Sequence, residues 1–543
     1  MSSVENNRLR IVIPALSKHA VFQDDLIKKH AGQSLVQRAI SKARSSGLTE
    51  QNILVVTDLD EACLVAERNG AQPIYQVGEN VDLFDVLRQY LTQVADDQFN
   101  ESDFLFLSPY APSITSEELV EAYRAFVSES IEVLRPVRQE SHRIFVERVR
   151  GLDELAMAAP DKSLTLDSLA FLIFKGRLLQ DSSSPLKITP WTLQNQVVEI
   201  ETLQDWWVSE KLLQRRCIVF RVIGNEEVGM GHIYRSLTLA HELSDHEVIF
   251  VCDSESYGVV NQLAGYDYRL GVVPERDIVS AILDLKPDLV INDVLDTTAE
   301  YIRSLKESDV LVVNFEDLGS GAAVADLTIN ELYDEPVLEG ENILWGHRYF
   351  FVREEFEAAR PHQLTEKVAS VLLTFGGTDK NELTLAIYKA IRELCRRLGV
   401  KIHIVTGPGY LGYQKLADEV ENDDGASVTH ATGVMSRIME QTAIAITSNG
   451  RTVYELAHMN IPSIVIPQHE RECTHSFASE ATGFLPMLPY REQVSETEIR
   501  ECLEKLLTDY DFRAQLIKNI SPYSFGSNKK EVLSKIISLF EDV

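Results

Sequence analysis

Residues 217–240 read CIVFRVIGNEEVGMGHIYRSLTLA, an apolar run followed by a glycine-containing loop and a helical pattern. The apolar run at 217–224 has the length of a buried strand. The helix that follows presents free N–H groups where the strand ends, which is the edge of a parallel sheet at which ligands bind. This stretch therefore predicts a strand, a glycine turn and a helix, the unit from which α/β folds are built.

The same unit recurs in two series along the chain. The first comprises RIVIPAL, NILVVTD and DFLFLSP, with helical patterns such as SLVQRAISKARSSG between them, and it closes with TLQDWWVSEKLLQRR. The second starts at 217 and continues through EVIFVCD, DLVINDV and DVLVVNFED. The strand-free segment REEFEAARPHQLTEKVAS precedes a fresh strand, VLLTFGG, which KIHIVTGPG, AIAITSNG and SIVIPQ follow. A helix, EVLSKIISLFEDV, is predicted last.

Three domains follow from this order. An α/β domain of Rossmann type is predicted at 1–214, and two Rossmann-like halves are predicted at 215–362 and 363–543. Two such halves that face each other across a cleft form the GT-B type of arrangement, in which a nucleotide-sugar lies at the carboxyl ends of the strands.

The composition excludes several classes of protein. In 543 residues there are 52 Lys plus Arg against 83 Asp plus Glu, a net charge of -31, which repels nucleic acid and anionic lipid. The six cysteines form no CxxC or Cys/His ligand spacing, so no metal site is expected. With no apolar run of transmembrane length, the chain is expected to be cytoplasmic and to have no membrane span.

The glycine turn at 229–235 contains the candidate catalytic residue. Gly229 and Gly231 let the backbone approach a ligand, and His232 and Arg235 follow in the first turns of the helix. An imidazole there can take a proton from water near neutral pH. A turn-and-cap role is the alternative for this motif on its own.

The C-terminal half contains two further turns that could hold a diphosphate. One follows the strand VLLTF, and the other lies between the strand AIAIT and a helix that begins near Thr452. Glu455 lies one helical turn further on, where a carboxylate could accept hydrogen bonds from ribose hydroxyls. A capping box with a solvated glutamate is the alternative. The candidate binding residues of these turns are Gly376, Gly377, Thr378, Ser448, Asn449, Gly450, Arg451, Thr452 and Glu455.

Acidic residues follow two strands of the first half and are candidates for holding a sugar or orienting His232. They are Asp293, at the end of DLVIND, and the pair Glu316 and Asp317, at the end of VVNFED. Loop capping is an equally good interpretation of their spacing. Arg471 and Glu472, in the loop PQHERECTHSF, complete the candidate substrate-binding set.

Four ordered motifs give the span from 217 to about 490 a family resemblance. They are GMGHIYRSLTLA, LWGHRYFFVREEF, LLTFGGTDKNELT and SNGRTVYELAHMNIPSIVI. The span resembles the UDP-sugar hydrolase of pseudaminic acid biosynthesis and its spore-coat polysaccharide relatives. The resemblance implies a GT-B-like fold, a UDP-sugar ligand, no cofactor, and a histidine at position 232 that serves the attacking water. It also implies that the loop at Arg471 and Glu472 lies near the sugar, where relatives usually carry an Asn-Gln or similar polar pair.

The first series, from 9 to about 213, resembles the CMP-sialic acid synthetase family through RIVIPAL, AGQSLVQRAISKA and FLSPYAPSIT. That resemblance implies a cytidylyltransferase fold with CTP or a CMP-sugar as ligand. The family's cationic pattern is lost, because Leu16, Ala20, Asp25 and Leu26 stand where two lysines, an arginine and an asparagine would be expected.

Two features could still support cytidylyltransferase activity. Lys18, Lys28 and Lys29 could supply charge, although a solvated basic face also explains them. Glu201 and Asp205 match carboxylates that bind Mg²⁺ in the family, if the domain is active. We expect that this activity is lost or redirected.

Three hypotheses follow for the whole chain. The first is hydrolysis of a UDP-linked amino or deoxy sugar, with the free sugar feeding nonulosonic acid or surface polysaccharide synthesis. The second is glycosyl transfer by the same fold to a hydroxyl acceptor. The third is a scaffold whose two modules bind nucleotides without turnover.

Overall fold

A computed structural model describes residues 8–49, 52–76, 83–93, 101–140, 145–148, 151–154, 164–179, 187–194, 197–225, 228–263, 265–487 and 495–540. The chain divides into two compact units, Met1–Arg215 and Arg216–Val543.

The first unit is built on one mixed sheet. The strands of the unit are β1 Leu9–Ala15, β2 Lys29–His30, β3 Gln33–Ser34, β4 Ile53–Thr57, β5 Gln72–Tyr75, β6 Asp103–Leu107, β7 Val133–Glu140, β8 Phe145–Arg148, β9 Gly151–Glu154, β10 Leu164–Asp167, β11 Phe171–Lys175 and β12 Ile188–Thr192. Strands β2 and β3 pair only with each other, as do β8 and β9, and the other eight strands form the mixed sheet. Its helices are α1 Leu35–Ser45, α2 Asp60–Arg68, α3 Leu83–Gln93, α4 Ser116–Ser128 and α5 Leu203–Leu213.

In this sheet the order is β10-β7-β11-β6-β1-β4-β5, and β12 pairs with β7. Strands β6, β1, β4 and β5 are parallel, whereas β11 runs antiparallel to both β6 and β7. The apolar runs form the core because β1, β4 and β6 are buried along nearly their whole length.

The second unit contains two parallel sheets. The strands of the first are β13 Cys217–Val222, β14 Glu247–Asp253, β15 Arg269–Val273, β16 Leu289–Asp293, β17 Leu311–Phe315, β18 Leu327–Asn330 and β19 Ile343–Trp345. Those of the second are β20 Ser370–Thr374, β21 Lys401–Thr406, β22 Ala426–His430, β23 Ile444–Thr447, β24 Ser463–Val465 and β25 Phe484–Pro486.

Helices cover both sheets of this unit. They are α6 Gly231–Glu242, α7 Tyr257–Leu263, α8 Ile278–Asp284, α9 Ala299–Lys306, α10 Glu354–Glu357, α11 Leu383–Leu398, α12 Tyr413–Val420, α13 Met435–Met439, α14 Thr452–His458, α15 Glu470–Cys473, α16 Glu496–Thr508, α17 Tyr510–Ile520 and α18 Asn528–Ser538.

The strand orders place the ligand-binding edge of each sheet. They are β15-β14-β13-β16-β17-β18-β19 and β22-β21-β20-β23-β24-β25. In each sheet the order reverses beside the first strand, between β13 and β16 and between β20 and β23, and such switch points form the crevice at which open α/β sheets bind ligands. The predicted α/β architecture, with a pair of Rossmann-like sheets in the C-terminal part, is confirmed.

The end of the chain departs from the predicted second half. Helix α18 contributes Val532, Leu533 and Ile536 to the core cluster that contains Ile218 and Phe220 of β13. Its apolar side chains therefore complete the core of the first sheet, although the sequence order places the helix after the second sheet.

Candidate active site

The glycine turn after β13 is built as the sequence predicts. Gly229 has φ 76°, a left-handed conformation that glycine adopts without strain, and α6 begins at Gly231. A Cβ on Gly231 would lie 3.1 Å from Cδ of Arg451, which belongs to the turn after β23. The first turn of α6 therefore approaches the other half of the unit closely, and a larger residue at position 231 would push the two apart.

His232 is oriented by Asp293, the last residue of β16. Its Nδ1 lies 2.6 Å from Oδ1 of that carboxylate. An ionised carboxylate only accepts hydrogen bonds, so the neutral ring carries its proton on Nδ1 and its lone pair on Nε2. His232 also lines the cleft between the two sheets.

Arg235, one helical turn after His232, is the centre of a buried charge network. Its Nε donates to Oδ2 of Asp293 at 2.8 Å, and its Nη1 donates to Oε2 of Glu316 at 3.1 Å and also to Glu331. Arg451 donates from Nη1 to the same Glu331 oxygen at 2.5 Å. One guanidinium therefore holds three carboxylates, and the second ties the network to the other half of the unit.

This network fixes the charge of its members. Burial alone would raise the pKa of Asp293, but Arg235 and His232 beside it hold that pKa well below its usual range. Burial and Arg235 oppose each other in the same way at Glu316, whose pKa is also lowered. Both carboxylates are therefore ionised near neutral pH, as the orienting of an imidazole requires.

Glu316 adopts a left-handed backbone conformation that the sequence does not predict. Its φ is 55°, which is rare for a residue with a side chain and costs of the order of 1–3 kcal/mol. Its N–H donates to the carbonyl of Ile329 at 3.0 Å, and its carbonyl accepts from Arg471. The left-handed residue turns the Glu316 carboxylate into the cleft, towards Arg235.

Glycines of the second sheet form the opposite wall. Gly376, after β20, has φ 74°, and a Cβ on Gly377 would lie 3.1 Å from the backbone nitrogen of Met230. A Cβ on Gly407 would lie 2.4 Å from Cα of Gly377. These turns therefore pack backbone against backbone, which leaves their peptide groups close to any ligand in the cleft.

The turn after β23 places Glu455 at the cleft. Helix α14 begins at Thr452, as predicted, and Glu455 accepts at Oε1 from Nε of Arg353 at 3.0 Å. Arg353 belongs to the segment that connects the two sheets. Glu455 is thus partnered on one side and still lines the cleft, where its second oxygen can face a ligand.

The loop that follows β24 is tied to both turns of the second sheet. Gln468 donates from Nε2 to the carbonyl of Phe375 at 2.8 Å, and its N–H donates to Oε2 of Glu472 at 2.7 Å. Asn449 donates to the carbonyls of Glu472 and His475 at 2.8 and 2.9 Å. This loop is therefore part of the cleft wall.

Two charged residues of this loop differ in their electrostatics. Arg471 donates to Asp296 at 2.8 Å and to the carbonyl of Glu316, which ties the loop to the first half. Glu472 is 5% exposed, and its burial raises its pKa to about 7. The Glu472 carboxyl is therefore partly protonated near neutral pH.

Most of the predicted site residues meet in one cleft of about 480 Å³. Those that line it are Gly229, Gly231, His232, Arg235, Glu316, Gly376, Gly377, Thr378, Ser448, Gly450, Arg451, Thr452, Glu455, Arg471 and Glu472. Three predicted residues do not line it. Asp293 lies behind His232, and Asn449 braces the loop through its side-chain amide.

Asp317 is the third, and its side chain is engaged in hydrogen bonds within the first half of the unit. It is fully buried and accepts hydrogen bonds from the backbone and hydroxyl of Thr297, from Asn314 and from the N–H of Gly319. The capping alternative therefore describes Asp317, while its neighbour Glu316 faces the cleft.

Sequence reasoning missed Glu331, Arg353 and His475. Glu331 directly follows β18, so the rule that led to Asp293 and Glu316 would have found it as well. Arg353 lies in the motif LWGHRYFFVREEF, and His475 lies in the loop PQHERECTHSF. Neither residue follows a predicted strand or belongs to a glycine turn, so the rules that selected the other site residues do not select these two.

In the first unit, two of the residues that depart from the synthetase pattern, Asp25 and Leu26, are buried. Asp25 is 1% exposed, and it accepts from the N–H of Val21 at 2.6 Å and from the hydroxyl of Tyr110 at 3.0 Å. Leu26 is buried as well. Position 25 therefore supports the loop and does not present a charge to a nucleotide.

The other candidates of the first unit are at the surface. Asp205 accepts from the N–H of Thr202 at 2.8 Å in a capping box at the start of α5, and Glu201 is exposed. Lys28 and Lys29 are exposed, and the side chain of Lys18 lies outside the described residues. Asp205 therefore acts as a helix-capping residue.

In the part of the chain that the structure describes, no group of three or more His, Cys, Asp or Glu side chains could hold a metal ion. No helix within the same residues is long and apolar enough to cross a membrane.

Comparison with known proteins begins with curated relatives. No protein-family model matches the chain. The chain is 25% identical over 343 residues to an uncharacterised protein of Methanocaldococcus jannaschii, which covers 58% of this chain and 65% of that protein. It is 24% identical over 333 residues to the spore coat polysaccharide biosynthesis protein SpsG of Bacillus subtilis, covering 59% of this chain and 97% of that protein.

The chain is also similar in sequence, over a shorter span, to an enzyme. It is 26% identical over 178 residues to the UDP-2,4-diacetamido-2,4,6-trideoxy-beta-L-altropyranose hydrolase of Campylobacter jejuni, covering 31% of this chain and 64% of that protein. The chain thus spans slightly less than two thirds of this hydrolase and of the Methanocaldococcus protein.

Solved structures give weaker likenesses. MurG of Acinetobacter baumannii superposes with a TM-score of 0.44 at 11% identity, covering 60% of this chain and 99% of that one. A CMP:2-keto-3-deoxy-manno-octonic acid synthetase superposes with a TM-score of 0.31 at 14% identity, covering 38% of this chain and 99% of that one.

The sequence relatives define how far the similarity extends along the chain. Over about three fifths of its length the chain is a distant homologue of SpsG, and over about a third it is similar to a UDP-sugar hydrolase.

Proposed function

We propose that residues 216–543 hydrolyse a UDP-linked amino or deoxy sugar to UDP and the free sugar, for nonulosonic acid or surface polysaccharide synthesis. The observation that carries the proposal is the pair His232 and Asp293. In this pair an imidazole oriented by a carboxylate lies on one wall of a cleft whose other wall consists of glycine turns. The similarity to SpsG and to the Campylobacter hydrolase supports the choice of substrate class.

The chemistry assigned to these residues is general base catalysis. Nε2 of His232 takes a proton from water, the water oxygen forms a bond to the anomeric carbon, and the bond from that carbon to the diphosphate oxygen breaks. The electron pair leaves with UDP. The resulting imidazolium is stabilised through Nδ1–H by the Asp293 carboxylate, and its proton returns to solvent.

The remaining wall residues bind the nucleotide in this proposal. The turns at Gly376 and Gly450 offer backbone N–H groups to the diphosphate, and Arg451 supplies a positive charge beside them. Glu455 accepts from the ribose hydroxyls. The buried network around Arg235 keeps Asp293 ionised and in place, so that His232 retains the tautomer that the reaction needs.

The test is substitution of His232 by asparagine. UDP release should be measured with wild type and His232→Asn on UDP-N-acetylglucosamine, UDP-glucose and the diacetamido UDP-sugar of the Campylobacter relative. Turnover should fall by roughly two to four powers of ten, the usual contribution of general base catalysis. UDP affinity and melting temperature should change little, because asparagine can still hydrogen-bond in the first turn of a helix.

A matched control lies on the same helix. His241 pairs with Glu354 at 3.2 Å on the surface and does not line the cleft, so His241→Asn should leave turnover unchanged. Unchanged turnover in His232→Asn would remove that residue from the mechanism. UDP release that requires an added hydroxyl acceptor would replace hydrolysis with glycosyl transfer.

A further inference from the structure

The cleft contains a second imidazole, His475, that the proposed hydrolysis does not use. It is 7% exposed and lies in the loop after β24, on the wall formed by the second sheet. Its Nδ1 lies 2.7 Å from the backbone carbonyl of Asn449. A carbonyl only accepts hydrogen bonds, so Nδ1 carries the proton and Nε2 carries the lone pair.

Nε2 of His475 is buried and lacks a hydrogen-bond partner among the residues that the structure describes. Buried polar atoms in folded proteins are nearly always satisfied, so an unpaired one on a residue that lines a ligand cleft is a candidate contact for a ligand. His475 is among the residues that line this cleft.

The surroundings hold the ring in one orientation. Tyr333 packs edge-on against it, with ring centroids 5.2 Å apart and planes at 85°. Asn449 fixes the loop twice, through the Nδ1 contact and by donating from its side chain to the carbonyl of His475 at 2.9 Å. The ring is therefore held in one orientation before a ligand binds.

His232, His475 and Glu316 all line this cleft, and both imidazoles help to lower the pKa of Glu316. Burial lowers the pKa of His475, in spite of the opposite effect of Glu316. The ring is therefore neutral near pH 7 and acts as an acceptor.

We infer that His475 is a specificity-determining residue that accepts a hydrogen bond from a hydroxyl or amide N–H of the sugar. The inference rests on the proposed function, since it concerns the sugar end of the same cleft. It restricts the substrate to UDP-sugars that present a hydrogen-bond donor at the position facing Nε2. A methyl group or an ether oxygen at that position would leave the acceptor unsatisfied and would be disfavoured.

Two variants of His475 separate the acceptor from the structural bond. Asparagine can still donate to the Asn449 carbonyl but ends before the position of Nε2, whereas glutamine reaches that position with its amide oxygen. For the UDP-sugar of the panel above that wild type turns over, His475→Asn should raise KM by about three- to tenfold, the worth of one hydrogen bond. His475→Gln should recover much of the loss, and UDP affinity should stay within about twofold in both variants.

The outcomes distinguish this inference from the proposed function. If wild type releases UDP and His475→Asn has a normal KM, or if glutamine is no better than asparagine, the inference is wrong and the hydrolase proposal stands. If wild type neither binds UDP nor releases it from any sugar of the panel, the proposed function is wrong.

A measurement independent of turnover tests the acceptor itself. With ¹⁵N-labelled histidine, the His475 signal is identified by its loss in His475→Gln, and its Nε2 should be unprotonated at pH 7. A protonated Nε2 would overturn the inference whatever the substrate.

Discussion

Asp25 in the first unit and Asp293 in the second are both buried carboxylates, yet they are used differently. Asp25 accepts from a backbone N–H at 2.6 Å and from a tyrosine hydroxyl at 3.0 Å, and these groups belong to its own loop and core. Asp293 accepts from His232 and Arg235, and His232 has a second nitrogen that faces a cleft.

The difference teaches how to separate a structural acid from a functional one. Burial is the same for both, so burial does not decide. What decides is whether the partner of the carboxylate has hydrogen-bonding capacity left over and directed at open space. The partners of Asp25, the N–H of Val21 and the hydroxyl of Tyr110, belong to the loop and core of the first unit. His232, the partner of Asp293, lines the cleft.

The largest effect is expected when the functional acid is neutralised. Asp293→Asn should lower turnover by roughly 10³- to 10⁴-fold, because an amide can hold the imidazole in the wrong tautomer. UDP affinity should change little. The double variant with His232→Asn should be no slower than the slower single variant, since the two residues act as a unit. Additive losses measured by UDP release would show that Asp293 acts independently of His232.

A second prediction concerns Glu472, a buried carboxyl of the cleft whose pKa is raised by burial to about 7. Its charged form is disfavoured in the folded state, so the stability it contributes is present at low pH and is lost as pH rises from about 4.5 to 7. Glu472→Gln removes this titration. From pH 5 to pH 8 the unfolding free energy of wild type should therefore fall by about 2–3 kcal/mol more than that of the variant.

Thermal or urea unfolding at both pH values measures the effect. A difference between Glu472→Gln and wild type that does not change with pH would mean that Glu472 is ionised throughout, as Asp293 is. In that case Glu472, which accepts from the N–H of Gln468, would not differ in its charge from Asp293, which Arg235 holds ionised.

The structural acid of the first unit should affect stability and leave the chemistry unchanged. Asp25→Ala leaves the N–H of Val21 and the hydroxyl of Tyr110 without their acceptor, at a cost of about 2 kcal/mol in unfolding free energy. UDP release should be unaffected.

The first unit itself is tested on the wild-type protein. With CTP, Mg²⁺ and several nonulosonic acids it should release little or no pyrophosphate, and robust release would show that cations such as Lys28 or Lys29 take over the missing charge.

The smallest effect is expected at Glu455, which combines both behaviours because Arg353 partners one oxygen while the residue lines the cleft. Glu455→Ala should weaken UDP binding by about tenfold, as expected for lost hydrogen bonds to the ribose. Calorimetry on the full chain measures this loss and should show tighter binding of UDP than of CDP. Tighter binding of CDP would contradict the assignment of the nucleotide.

Local patterns in the sequence were sufficient to predict the α/β fold. The apolar run at 217–224 became β13 at Cys217–Val222, and VLLTFGG became β20 at Ser370–Thr374, because a buried parallel strand needs an unbroken apolar run wherever it lies in the fold. The turns of the candidate site could also be located, since glycine and polar residues directly follow those runs. Helix α18 was predicted as a helix but placed with the wrong sheet, because an apolar stripe does not specify which core it will cover.

The roles of individual acids were decided by the tertiary structure. Glu316 and Asp317 are adjacent and look equivalent in VVNFED, yet the left-handed backbone at Glu316 turns one carboxylate to the cleft and leaves the other to cap Thr297. That conformation is held by Arg235 and Arg471, which are 81 and 155 residues away. The open acceptor on His475 likewise exists only because the carbonyl of Asn449 fixes its tautomer. Sequence determines which groups stand at the edge of a sheet, but their orientation and protonation depend on partners that only folding brings within hydrogen-bond distance.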